Sequence, residues 1–267
     1  MAYPQPAETL LIEGPDAMAF AHAQFSSSVN LLPTDQWQFS AWLDSQGRVR
    51  ALFHLVRTGS ERYLLLLRGG TAVEMVDALR RFLFRARVTL SALPPRHLST
   101  GPALPLHAVT VDDSEVVLGC DDHSLKITPS ASSDDAWRLL QLRAGWPWLP
   151  PSLLNNLLPA ALSLQRLQAV AVDKGCYPGQ EIVARLHFRG GHKRHLHRGT
   201  LSQAACAGDA LRLDGRVVGH VLDSVNGNSG AEALLVLHDE LIQASPSDAP
   251  VAVDGPLTIQ LAASWPA

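Results

Sequence analysis

Apolar and polar positions along this chain switch between two periods, and the switches mark out elements. Residues 9–13 (TLLIE) form a short β-like run closed by Gly14-Pro15-Asp16; Ala17, Phe20, Ala21 and Gln24 then recur at helical spacing, with Pro15 suited to a first helical position. Residues 37–43 and 49–57 are strand-like runs joined by Asp44-Ser45-Gln46-Gly47, which is hairpin chemistry, and residues 63–67 extend the sheet. In residues 74–84, Met75, Val76, Leu79, Phe82 and Leu83 fall on one helical face, and residues 87–93 read as a strand. Residues 94–105, rich in Pro, Gly and Ser, predict a linker or long loop. Residues 107–127 and 137–142 read as further short strands. Residues 147–159 hold four prolines and two adjacent asparagines, which predicts an extended connector across a surface. From residue 193 the pattern is all β, with runs at 193–202, 210–213, 216–225, 233–237 and 257–261, the spacing of a small barrel or sandwich.

Composition narrows the class. Hydrophobic residues make up 46% of the 267 and charged ones 18%, below the roughly 25% of an average domain, so the chain has ample core material and is not disordered. With 22 Lys+Arg against 25 Asp+Glu the net charge is −3, which excludes a nucleic-acid binder driven by overall charge. The length suits one large domain or two to three small ones. No basic stretch followed by an apolar run opens the chain, and no run approaches the roughly 20 apolar residues of a bilayer helix; a soluble, cytoplasmic protein is expected, without a secretory leader or membrane contact. Three widely spaced cysteines, Cys120, Cys176 and Cys206, fit neither a disulfide framework nor a metal knuckle, so at least one free thiol is expected.

One segment carries chemistry. In residues 173–185, DKGCYPGQEIVAR, two glycines and a proline within five residues imply a specially shaped loop, and Pro178 is placed to open a helix through Ile182, Val183 and Leu186. Cys176 then sits just ahead of a helix N-terminus with Lys174 two residues earlier, and both favour a thiolate of lowered pKa. Cys120 and Cys206 lack such surroundings and are read as structural. Directly downstream lie Arg185, Arg189, Lys193, Arg194 and Arg198 with His187, His192, His195 and His197, and no acidic residue interrupts them. An anionic ligand is the natural partner of this stretch, with Arg189, Lys193 and Arg194 as its candidate contacts: a folate polyglutamate tail, a phosphate or an RNA backbone would each serve. His195 and His197 share one side of a strand, but no carboxylate or cysteine joins them at ligand spacing, so no metal site is expected. Neither a phosphate-binding P-loop nor a serine nucleophile elbow is present.

KGCYPGQE followed by IVAR, with FRGGHKR downstream, resembles the signature of the YgfZ-type folate-binding, tRNA-modifying family, related to the T-protein (aminomethyltransferase) of the glycine cleavage system. Ile12-Glu13-Gly14-Pro15-Asp16-Ala17, Asp44-Ser45-Gln46-Gly47-Arg48 and Arg143-Ala144-Gly145-Trp146-Pro147 extend the resemblance along most of the chain. It implies an α+β fold: a three-domain, T-protein-like ring whose discontinuous first domain (1–36 and 128–192) carries the loop, with an inserted ferredoxin-like α+β domain (37–127) and a C-terminal β-barrel (193–267). It implies tetrahydrofolate as cofactor and a role in assembly or repair of iron–sulfur enzymes, one of which thiolates tRNA. Folate, iron–sulfur client enzymes and weakly tRNA are the expected partners of an expected monomer. Carried over by motif, Cys176 and Lys174 are the catalytic pair, with Lys174 tuning the thiol. Gly175, Tyr177, Gly179, Gln180, Glu181 and Arg185 form the functional loop, in which Glu181 and Arg185 fix its geometry by hydrogen bonds or ion pairing. Trp137 matches a folate-associated tryptophan.

The departures from the family pattern also matter. The T-protein's pair of aspartates on the second hairpin strand aligns with Ala51 and Leu52, its pterin-contacting acid with Arg143, and a second folate-linked tryptophan with Ala7. Without that carboxylate the partner of the reacting amine is missing, and a guanidinium can only donate hydrogen bonds. Conventional aminomethyl transfer is therefore not expected. A folate-dependent one-carbon transferase and an RNA-binding module remain the alternatives.

Overall fold

The computed structural model describes residues 6–112, 114–132, 134–227, 230–243 and 249–265. Residues 1–5, on which the expected lack of a leader partly rests, lie outside them. Among the described residues no helix is long and apolar enough to cross a membrane.

The first unit runs β1 (Thr9–Glu13), α1 (Ala17–Gln24), β2 (Gln36–Leu43), β3 (Val49–Gly59), β4 (Arg62–Leu67), α2 (Ala72–Leu79) and β5 (Thr89–Ala92). Its strands make one antiparallel sheet in the order β2-β3-β4-β1-β5. Setting aside edge strand β2, the order β3-β4-β1-β5 with α1 and α2 as crossovers is the split βαβ arrangement of a ferredoxin-like sheet. The expectation placed that unit in 37–127 and gave 1–36 to another domain. The structure corrects this, because β1 hydrogen-bonds β4 on one side and β5 on the other, and a boundary at 36/37 would remove a central strand.

Side-chain alternation gives the sheet two buried faces. Leu10, Ile12, Phe53, Leu55 and Leu65 pack under Phe20 of α1 and Met75, Val76 and Leu79 of α2. Leu11, Trp37, Phe39, Leu52, Leu64 and Leu66 face the rest of the molecule. The β2–β3 hairpin closes as its sequence predicts: Asp44 Oδ1 accepts the N–H groups of Gln46 and Arg48 at 2.8 and 2.9 Å, and Gly47 takes φ +75°.

A second sheet holds β6 (His97–Gly101), β7 (Val109–Val111), β8 (Val116–Gly119) and β9 (Ser124–Thr128) in the order β6-β9-β8-β7. Strand β6 lies inside the predicted 94–105 loop. Its single buried apolar residue, Leu98, gives no readable period, and its pairing with the distant β9, at Leu98↔Ile127, decides the conformation. Residues 137–142, read as a strand, are the core of helix α3 (Ala136–Arg143), which buries Trp137, Gln141 and Leu142. Asp134 Oδ1 accepts the Ala136 N–H at 3.0 Å, satisfying a donor where the helix begins, and an apolar run this short does not separate the two periods.

The 147–159 connector is irregular as expected but does not run across a surface. Leu149, Leu153 and Leu157 are buried, and its backbone bonds Arg68, just past β4, and Val49 of β3 (Leu149 N–H to Arg68 O, 2.8 Å; Asn155 N–H to Val49 O, 2.8 Å). Its prolines remove donors while these pairings satisfy the buried groups that remain. Helix α4 (Gln180–Arg189) leads into the last unit, β10 (Arg194–Leu201), β11 (Ala210–Leu213), β12 (Arg216–Gly227), β13 (Gly230–His238), the short helix α5 (Asp239–Gln243), β14 (Val251–Ala252) and β15 (Thr258–Trp265). These strands order as β11-β12-β13-β10-β15-β14, a nearly closed, barrel-like sheet. Asp254 bridges its open seam: its N–H donates to Arg212 O at 2.7 Å and its carboxylate accepts from the Asp214 and Gly215 N–H groups at 2.9 and 2.8 Å.

Candidate functional site

The loop before α4 is built outward from Lys174. Its Nζ donates to three backbone carbonyls, those of His22 and Phe25 at 2.6 Å and of Ser27 at 2.9 Å, so all three N–H donors are taken at the end of α1. Burial pushes the ammonium down to about 8, while the three oxygens favour its charged form. Lys174 thus clips the loop to α1 and does not act as a free cation beside the thiol, as the sequence suggested. Gln180 Nε2 closes the loop onto Lys174 O at 2.9 Å, and the buried Tyr177 hydroxyl donates to Ala171 O at 2.8 Å, its pKa raised by burial. Cys176 and Gly175, between these anchors, are exposed.

Gly179 is the N-cap of α4 with φ +78°. A Cβ there would lie 2.5 Å from Asp44 O and 2.7 Å from Gly47 Cα, so the hairpin turn and the thiol loop touch backbone to backbone. Helix α4 begins at Gln180 and not at Pro178, which leaves Cys176 ahead of it across the Tyr177-Pro178-Gly179 turn. Glu181 and Arg185 correct another expectation: both are exposed, and no ion pair joins them to each other or to the loop among the described residues.

A polar cluster that sequence reading missed lies where the first sheet meets α3 and the connector. Arg68 is fully buried between Phe39 and Trp148 (guanidinium 5.5 and 4.4 Å from the ring centroids) and donates to Gln141 Oε1, Trp146 O and Pro147 O at 2.7–2.8 Å. Burial pushes its pKa down to about 9 and holds the buried His54 imidazole, 3.5 Å away, neutral. Gln141 Nε2 and His54 Nδ1 have no partner within the protein. The only sequence trace of this cluster is an arginine ending the run YLLLLR.

Trp137 is buried beside this cluster, 5.2 Å from the half-exposed Trp148. Of the aligned positions that lost their carboxylate, Leu52 faces the cluster and Ala51 the opposite side. Arg143 forms a forked ion pair with Glu232 of β13, its Nε 2.9 Å from Oε2, and this contact is the main reason the Glu232 carboxyl lies below its ordinary range. Ala7 is buried and bridges Arg96 through the backbone.

In the basic segment Arg185, Arg189 and Lys193 are exposed. The lack of acids along the sequence does not persist in space: His195 Nδ1 lies 2.6 Å from Asp239 Oδ1, and Arg198 contributes to lowering Glu232. Lys193, Arg194 and Gly191 share a cavity of about 200 Å³ with Asn156, Leu158 and Ala161; Arg189 is not among its walls. His192 also lines it, and its Nε2 is buried without a partner. Among the described residues no group of three or more His, Cys, Asp or Glu is placed to hold a metal ion.

Comparison with known proteins agrees with the motif resemblance. An uncharacterized protein of Haemophilus influenzae is 28% identical over 191 residues, covering 69% of this chain and 68% of that protein. The tRNA-modifying protein YgfZ of Yersinia enterocolitica is 24% identical over 258 residues (82% of this chain, 78% of the relative), and that of Edwardsiella ictaluri 26% over 238 (76% and 72%). Among solved structures, the glycine cleavage system aminomethyltransferase T of Bartonella henselae superposes with a TM-score of 0.67 over 95% of this chain and 82% of its own, at 16% identity, a likeness of fold. No protein-family model matches the chain.

Proposed function

We propose that this chain is a cytoplasmic, folate-binding accessory protein, built as a T-protein-like three-part ring, that supports assembly or repair of iron–sulfur clusters in client enzymes, tRNA-modifying ones among them. The observation that carries the reading is the exposed Cys176 thiol on a loop held by Lys174, Gln180 and Tyr177, within the stretch that resembles the YgfZ signature. A thiol displayed on a braced loop suits transient ligation or exchange with a client, and a rigid mount fixes where it is presented. Cys176 is the reacting group in this reading and Lys174 a positioning residue.

In this reading tetrahydrofolate is assigned to the cluster around Arg68 and Trp137 and not to the aligned acidic positions. Trp148 offers a partly exposed ring, and Gln141 Nε2 is a donor without a partner, of use to a pterin edge. Leu52 and the Arg143–Glu232 pair leave no free carboxylate in the aligned positions, which weighs against aminomethyl transfer. The basic segment from Arg185 to Arg198, with Lys193 and Arg194 at its small cavity, supplies contacts for an anionic tail.

The test is deletion of the gene followed by assay of iron–sulfur enzymes, with rescue by the wild-type chain and not by Cys176→Ala. Equal rescue by the variant removes the thiol from the mechanism. A tetrahydrofolate titration read by tryptophan fluorescence, in wild type and Trp137→Phe, tests the cofactor separately.

A further inference from the structure

A cavity of about 430 Å³ lies between the face of the first sheet that carries Leu11 and Leu64 and strands β7 to β9. Its volume is within the range of small-molecule pockets and equals roughly 14 water molecules at about 30 Å³ each. All of its walls come from residues 9–127, so α4, the Cys176 loop and the barrel take no part in it.

Strand register shows how it is built. The pairs Thr9↔Leu66, Leu11↔Leu64 and Glu13↔Arg62 put Thr9, Leu11, Leu64 and Arg62 on one face of the sheet, and Val116 and Ile127 cover them from the second sheet. The floor is therefore apolar, with polar groups set into it at particular places. Thr9 lines the cavity but is only 1% exposed, and its Oγ1 is buried with no hydrogen-bond partner among the described residues.

Two opposite charges also line the cavity. Arg96 uses one N–H on Ser114 O at 2.6 Å, and among the described residues its other four donors have no side-chain or backbone acceptor. Asp112 accepts the N–H groups of Ser114 and Glu115 and the Ser114 hydroxyl through Oδ1, and among the described residues Oδ2 has no hydrogen-bond partner. Arg62, at the Glu13 end, is already engaged, its Nε 3.2 Å from Glu13 Oε1. A simple organic acid would satisfy Arg96 but meet the Asp112 carboxylate unpaired, and an amine would do the reverse.

We infer that this cavity is a binding site for a free α-amino acid with a large apolar side chain. Its carboxylate is held by Arg96, its ammonium by Asp112, and its side chain lies along Leu11, Leu64 and Val116. Phenylalanine, of 12 non-hydrogen atoms, is small enough to enter it.

Calorimetric titration of the full chain with L-phenylalanine, 3-phenylpropionate and phenethylamine tests this. Phenylalanine is expected to bind about tenfold or more tighter than either half-molecule, and both Arg96→Gln and Asp112→Asn, confirmed folded by circular dichroism, are expected to reduce its affinity by about tenfold. Absence of saturable phenylalanine binding, binding of either half-molecule as tight as phenylalanine, or undiminished binding in both variants each overturns the assignment. The Asp112→Asn substitution keeps a side-chain oxygen to accept the Ser114 and Glu115 N–H groups, so that variant tests the charge without removing these contacts.

Discussion

Lys174 Nζ stands 2.6 Å from the carbonyl oxygen of Phe25, joining the loop that displays the thiol to the last turn of a helix nearly 150 residues earlier in the chain. With the bonds to His22 and Ser27 this makes one side chain the anchor of the site. Lys174→Met leaves three carbonyls without their charged donor and is expected to lower stability by about 2 kcal/mol, a fall of roughly 5 °C in melting temperature. Thermal unfolding followed by circular dichroism measures it.

Two glycines of the same loop should behave in opposite ways. Gly179→Ala forces a Cβ to 2.5 Å from Asp44 O at φ +78°, whereas a Cβ on Gly175 meets nothing within 4 Å. The first substitution is expected to cost about 1–3 kcal/mol and the second less than about 0.5 kcal/mol. Urea titrations of the two variants, compared at equal m-value, decide this.

The three cysteines divide by exposure. Cys176 and Cys206 are exposed, and Cys120 is buried with its thiol pushed up to about 12, chiefly by burial. A disulfide reagent added to the native protein is therefore expected to titrate two thiols, falling to one in Cys176→Ala, with the third released only by denaturant. Three equivalents from the folded protein would contradict the burial of Cys120.

Mild acid should weaken the barrel through His197. This imidazole is buried, its Nδ1 is 2.8 Å from Ser264 Oγ, and burial pushes its pKa down to about 4 from the ordinary 6.5. Between these values the unfolded chain binds the extra proton, so the contribution is fully present above about pH 6.5 and is lost as the pH falls toward 4, by about 3 kcal/mol in all. His197→Gln is expected to flatten that part of the stability profile, read as midpoint against pH.

Much of this was legible in the sequence because local chemistry dictated it. The Asp44–Gly47 hairpin, the strands from residue 194 onward and the exposed Cys176 loop each follow from turn residues, alternation or a dense Gly-Pro motif. What was not legible depends on partners far along the chain. Strand β6 exists because of β9, α3 differs from a strand only in what Trp137 and Gln141 pack against, and the membership of β1 in the first sheet is set by β4 and β5. The direction of Lys174 was unreadable for the same reason: nothing near it in sequence reveals three carbonyls at the end of α1. Arg68 gave no period at all, since its buried polar partners come from Gln141, Trp146 and Pro147.

The central place of β1 also bears on how the molecule comes into being. A chain leaves the ribosome N-terminus first and its units fold in that order, yet this first strand must wait for β4 and β5 before both its edges are paired. Once residues 9–92 have emerged, the first sheet and its two helices can close, and the carbonyls of His22, Phe25 and Ser27 then form a ready socket. The segment bearing Cys176 is synthesised long afterwards and plugs into that socket through Lys174. Cys176 is thus displayed on its braced loop only by a chain whose oldest part is already complete.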